Sequence, residues 1–200
     1  MKDKFNVNQI PELKQEIIDL PEKEKNQLLI RLINKDQILI EHLHFKLLEN
    51  EFDLIRRFED LKNEISTDLE NNFSKIINEK ENINAKLLLR LIRGLSSKIT
   101  HFFKVTKDVN FELSLRTFML INSYKIYKTI FHQDSEFGFK LRNYQVARIK
   151  IILKNYLKLH EELKYDFIEL YGNDLEQIFS NDLQFELKHA KISIDDFKID

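Results

Sequence analysis

Cysteine and tryptophan are absent from the 200 residues. Without cysteine there is no disulfide framework, no thiolate metal ligand and no thiol nucleophile. Glycine occurs three times and proline twice, too few to punctuate an all-β fold, which turns about every 8–12 residues. Long apolar runs are missing as well. The longest reach about four residues, as in Phe118-Met119-Leu120-Ile121, whereas a membrane-spanning helix needs about 20. The first ten residues have no apolar run of the kind a signal peptide carries. These absences lead us to expect a cytoplasmic protein with no membrane segment.

What is present is helical in pattern. Hydrophobic residues make up 42% of the chain, enough for a core in one domain of this length. The stretch from Phe139 to Tyr171 holds no Gly or Pro and is bracketed by Gly138 and Gly172. It predicts one helix of about 33 residues, roughly 50 Å long. Ile149, Leu153, Tyr156, His160, Leu163, Phe167 and Leu170 recur along it at alternating spacings of 4 and 3, the pattern of a seam packed on other helices. From Phe111 to Phe131 apolar residues occur on every side of the helical wheel, which marks a central, fully buried helix.

The expected fold class is all-α, an antiparallel helical bundle with the long helix (about 139–171) as spine. One domain spans 1–188. It has an N-terminal subassembly at about 10–80 and a main bundle at about 83–188, and 189–200 form a loose tail. Shorter helices are expected over about 11–19, from Pro21 to Ile33, through Ile38 to Leu48, and over about 52–65, 68–78 and 85–105. Gly94 falls inside the last of these, where it marks a kink, a helix end or a close contact. At an offset of 59, Leu28–Ile33 resembles Leu87–Ile92 and Arg57 falls on Arg116, a pattern that either duplication or chance in a Leu-rich chain produces.

Charge is unevenly spread although the formal net charge is −1. Residues 82–160 carry 15 Lys and Arg against four acids, while both flanks are acidic. Lys140, Lys150, Lys154 and Lys158 share one side of the expected long helix, and Lys86, Arg90 and Arg93 extend that patch from its neighbour. This is a candidate face for an anion or a partner. The competing reading is that the acidic ends fold over the basic middle.

Chemistry-bearing residues are sparse. Glu162, Asp166 and Glu169, at i, i+4 and i+7, are the only weak metal candidates, because carboxylates so placed can share a divalent cation. They lie opposite the apolar seam, so a solvated face is favoured. His160 reads as a structural histidine on the seam. Ser97 and His101 stand one turn apart without an oxyanion hole or an orienting third group. Arg116, Asn122 and Ser123 interrupt the central helix and either form an internal network or line a pocket, internal pairing being favoured because buried polar groups must be paired. No catalytic residue, metal site or cofactor is assigned.

The Leu28–Lys35 helix with His44-Phe45-Lys46-Leu47-Leu48-Glu49, and later Leu159-His160-Glu161-Glu162-Leu163-Lys164-Tyr165-Asp166, resembles a group of small uncharacterised all-helical bacterial proteins. The resemblance implies an all-α, bacterial, cytoplasmic protein and brings no activity with it. The favoured expectation is a non-catalytic helical binding or scaffold protein with a protein partner, self-association being a further option. The alternatives are a nucleic-acid-associated protein using the basic middle, and a metal-dependent helical nucleotide hydrolase.

Overall fold

The computed structural model describes residues 6–197, and among them it contains helices and turns but no strand. The fold is all-α. No helix of the described residues is long and apolar enough to cross a membrane. By its contacts the chain divides into Met1–Leu48 and Glu49–Asp200.

The smaller unit holds α1 (Pro11–Asp19), α2 (Glu22–Ile33) and α3 (Gln37–Leu48). Pro11 opens α1 and Pro21 caps α2, positions where a missing N–H breaks no helical bond. Asp36 caps α3, its Oδ1 accepting from the Leu39 N–H at 3.2 Å. α2 and α3 touch each other, yet no residue of α1, α2 or α3 is buried.

The larger unit contains α4 (Glu51–Asn71), α5 (Phe73–Ile77), α6 (Ile83–Thr106), α7 (Val109–Phe131), α8 (Glu136–Tyr156), α9 (Glu161–Gln177) and α10 (Gln184–His189). α9 continues into a π-helical turn at Ile178–Asp182, and a 3-10 turn forms at Ile194–Phe197. α4 is unbroken where two helices were expected. α4 and α5 contact α6 and α7, so they belong to this unit rather than to an N-terminal subassembly of about 10–80.

α7 is the centre, as its all-round apolar pattern predicts. Leu113, Leu115, Met119, Leu120, Tyr124, Tyr127, Ile130 and Phe131 are all buried. It starts where Lys107 takes a left-handed conformation at the end of α6 and Asp108 accepts from the Phe111 N–H at 2.8 Å. Thr100 and Ser96 of α6 meet Arg116 and Met119 of α7, in reverse order. Ser123 and Glu112 of α7 likewise meet Gln145 and Asn155 of α8. α7 therefore runs opposite to both neighbours. Tyr127 donates its hydroxyl to the Leu69 carbonyl at 2.6 Å, and burial pushes its pKa up to about 12.

The expected long helix is two helices. α8 ends at Tyr156, and His160 (φ −63°, ψ 152°) is extended before α9 begins. In a straight helix Tyr156 and Phe167 would stand about 16 Å apart along the axis. Here their rings are 5.3 Å apart because the chain folds back. The seam is interior only in part: Ile149, Tyr156 and Phe167 are buried, but His160, Leu163 and Leu170 are exposed, Leu170 to 67%. The histidine expected on a buried seam is thus a solvent-facing residue in a turn.

The segment after His189, expected to be loose, is anchored through Phe197. That ring is buried against Tyr156, Phe167 and Phe179, and its carbonyl accepts from the Tyr156 hydroxyl at 2.7 Å. Residues 198–200 lie outside the described part of the chain. The glycines differ from expectation too. Gly172 lies inside α9. Gly138 lies in the first turn of α8, where a Cβ would stand 2.5 Å from the Gln133 carbonyl oxygen. Gly94 lies inside an uninterrupted α6 and faces open space, with no atom within 4 Å of where a Cβ would be. Gly94→Ala is therefore expected to stabilise the protein by about 0.5–1 kcal/mol, read as a raised unfolding midpoint.

The similarity at an offset of 59 is not a structural repeat. Its first half crosses the turn between α2 and α3, whereas the matching residues 93–95 lie within continuous α6.

Candidate functional site

α6 and α8 lie side by side, and each buries its apolar face in the core. The face left to solvent carries the cations. On α6, Lys86, Arg90 and Arg93 are exposed; on α8, Lys140, Lys150 and Lys154 are exposed. Lys158 is also exposed but falls in the turn beyond α8, so it does not continue the helical row.

Two aromatic rings of α8 link the helices. The Lys86 and Lys140 ammoniums lie 5.4 and 4.8 Å from the centroid of the Phe137 ring. The Arg93 and Arg148 guanidiniums lie 5.4 and 4.7 Å from that of Tyr144. At such distances a ring quadrupole attracts a cation and restricts where it lies. Lys86 and Arg93 are seven residues apart, as are Phe137 and Tyr144. The pairs run in the same order on both helices, so α6 and α8 are parallel. The result is two cation–ring–cation units whose α6 cations and rings are each seven residues apart, about 10 Å along, while their α8 cations, Lys140 and Arg148, are eight apart. Rows of lysine alone do not pick out Phe137, Tyr144 and Arg148. Their signal is the i, i+7 and i, i+4 spacing on α8.

The acidic flanks do cover part of the basic middle. Lys98 of α6 donates to Glu64 and Asp68 of α4 at 2.7 and 2.8 Å, and these hydrogen bonds, Asp68 first, hold its pKa above the usual lysine value. Lys125 pairs with Asp174 at 2.9 Å. Arg142 pairs with Glu186 and also donates to the carbonyls of Phe131 and Gln133. Coverage stops at the α6–α8 face. Among the described residues, Lys86, Arg90, Arg93, Arg148, Lys150 and Lys154 form no ion pair with an acid, and only Lys140 does, with Glu136. The Arg148 Nε–H is buried and finds no acceptor there.

Arg116, Asn122 and Ser123 are paired internally. Arg116 donates to Glu112 from Nε at 2.9 Å and Nη2 at 2.6 Å, and to Thr100 at 3.1 Å. Asn155 gives the same carboxylate a further hydrogen bond at 3.2 Å. Glu112 and Arg116 are both buried. The carboxylate is held by its own ion pair and by amide donation, an arrangement that ties α6, α7 and α8 together. Ser123 donates to the Leu120 carbonyl and accepts from Gln145. Asn122 donates to the Phe118 carbonyl.

Glu162, Asp166 and Glu169 lie on the exposed side of α9. Among the described residues no group of three His, Asp or Glu side chains is placed to hold a metal ion. The Glu-x-x-His spacings Glu41–His44 and Glu186–His189 join no such group. Ser97 and His101 are both exposed on α6.

Comparison with family models, curated proteins and solved structures gives no match.

Proposed function

We propose that this protein is a non-catalytic helical binding protein whose working surface is the basic face of α6 and α8, and that the surface receives an acidic helix of a protein partner. The observation that carries this reading is the pair of units formed by Lys86, Phe137 and Lys140, then by Arg93, Tyr144 and Arg148. A helix laid along the face presents side chains seven residues apart at the same spacing of about 10 Å. Single-stranded nucleic acid would instead use aromatic faces as stacking platforms. Here Phe137 and Tyr144 are half-buried and each is attended by two cations.

The test is titration with a fluorescent helical peptide bearing Glu at i, i+4 and i+7, beside a poly-U oligonucleotide and a DNA duplex. Peptide binding is expected to weaken as NaCl rises from about 50 to 300 mM, because exposed charges are screened. Arg93→Glu/Arg148→Glu is expected to weaken it at least tenfold with unchanged helicity. Tighter binding of either nucleic acid than of the peptide, or no binding of any probe, refutes the reading.

A further inference from the structure

The acidic counterpart of this face lies on the same chain. Glu162, Asp166, Glu169 and Glu176 are all exposed along one side of α9. At about 100° per residue they fall within roughly 80° of one another. Glu162, Glu169 and Glu176 follow a strict seven-residue step. Among the described residues none of the four forms an ion pair with a base, and Lys164, the one base of α9, instead lies over the Tyr156 ring. α9 packs on α7, which leaves this stripe facing outward.

We propose that the α9 stripe of one copy docks on the α6–α8 basic face of a second copy, so that the protein assembles with itself. The proposal rests on the reading of that face as a receiver of an acidic helix, and names its occupant. Two features make a second copy the fitting partner. The periods agree: carboxylates at 162, 169 and 176 repeat at the seven-residue step that separates Lys86 from Arg93 and Phe137 from Tyr144. The charges are complementary, since one surface holds almost only bases and the other only acids. Within the chain, Lys98, Lys125 and Arg142 already take acids from the flanks. The charges left over on the two surfaces are those that contact between copies would neutralise. If each copy gives its stripe and receives the other's, the contact closes as a two-fold dimer. If the rotation does not close, it propagates.

Each exposed pair contributes little alone, so association should be weak and strongly salt-dependent. Sedimentation velocity of the full chain at about 5–200 µM tests it. In about 50 mM NaCl the wild type is expected to associate, and in about 500 mM to sediment as a monomer. Arg93→Glu/Arg148→Glu and Glu162→Lys/Glu169→Lys alter exposed or half-exposed positions, and circular dichroism checks that both keep their helices. Each variant alone is expected to be monomeric, with its self-association constant weakened at least tenfold. An equimolar mixture of the two is expected to associate again, because each supplies the charge the other now needs. A wild type that stays monomeric at 200 µM in low salt overturns the proposal. So do variants that associate as the wild type does, or a mixture that stays monomeric. Peptide binding without self-association would keep the receiving surface and overturn only the choice of occupant.

Discussion

Arg116→Met is expected to lower the stability of the protein by about 3–5 kcal/mol, the usual result of removing one partner of a buried ion pair. Arg116 and Glu112 are 4% and 6% exposed, so water cannot solvate the carboxylate left behind. The Asn155 amide, at 3.2 Å, does not replace a guanidinium held at 2.6 and 2.9 Å. For a chain of this size the loss corresponds to a fall of roughly 6–20 °C in the unfolding midpoint. The double change Glu112→Leu/Arg116→Met is expected to recover most of it, since apolar residues of similar volume often replace a buried pair at little cost. Thermal melts of the two variants decide the matter. A single variant as stable as the wild type would show that the pair does not hold α6, α7 and α8 together.

Phe197→Ala is expected to cost about 3–5 kcal/mol, the range for emptying a buried aromatic site. Phe197 is 1% exposed and sits among Tyr156, Phe167 and Phe179, with centroids 5.1, 6.3 and 5.9 Å away. Removing the ring takes away the closure that holds α9 folded back on α8. Urea unfolding should show a lowered midpoint, and protease susceptibility should rise in the 157–160 turn. Tyr156→Phe removes only the hydrogen bond to the Phe197 carbonyl and is expected to cost about 1 kcal/mol. A loss for Phe197→Ala no larger than that would mean that Phe197 does not close the core.

Most of the helical layout follows from local pattern. α7 is buried where its residues are apolar on every side. Asp36 and Asp108 cap the helices they precede, in keeping with the preference for short acceptors there. The polar residues on α7 found internal partners, as buried groups must. The division of charge was equally legible. Its outcome was not, because the middle segment meets both fates. Lys98 lies on the side of α6 that faces α4 and its acids, while Lys86 and Arg93 lie on the side that faces α8. Periodicity orders the residues of one helix, but it does not say which neighbour stands beside each face.

The break after Tyr156 had a faint local mark. Lys154 and Lys158 give way to Glu161 and Glu162, bases where a helix ends and acids where one begins. Such charges shift a helix terminus by a few tenths of a kcal/mol to about 1 kcal/mol, which an uninterrupted run of good helix formers can outweigh.

The order of residues was enough to make this protein helical, to bury α7 and to separate the acids from the bases, because these depend on propensity and spacing within a few turns. Tertiary structure alone decided that the chain reverses at 157–160, that Phe197 is interior and that one basic face stays uncovered. Each of these requires residues far apart in the chain, Tyr156 with Phe197 and Lys86 with Phe137, to meet, and no local pattern contains the energy of such a meeting.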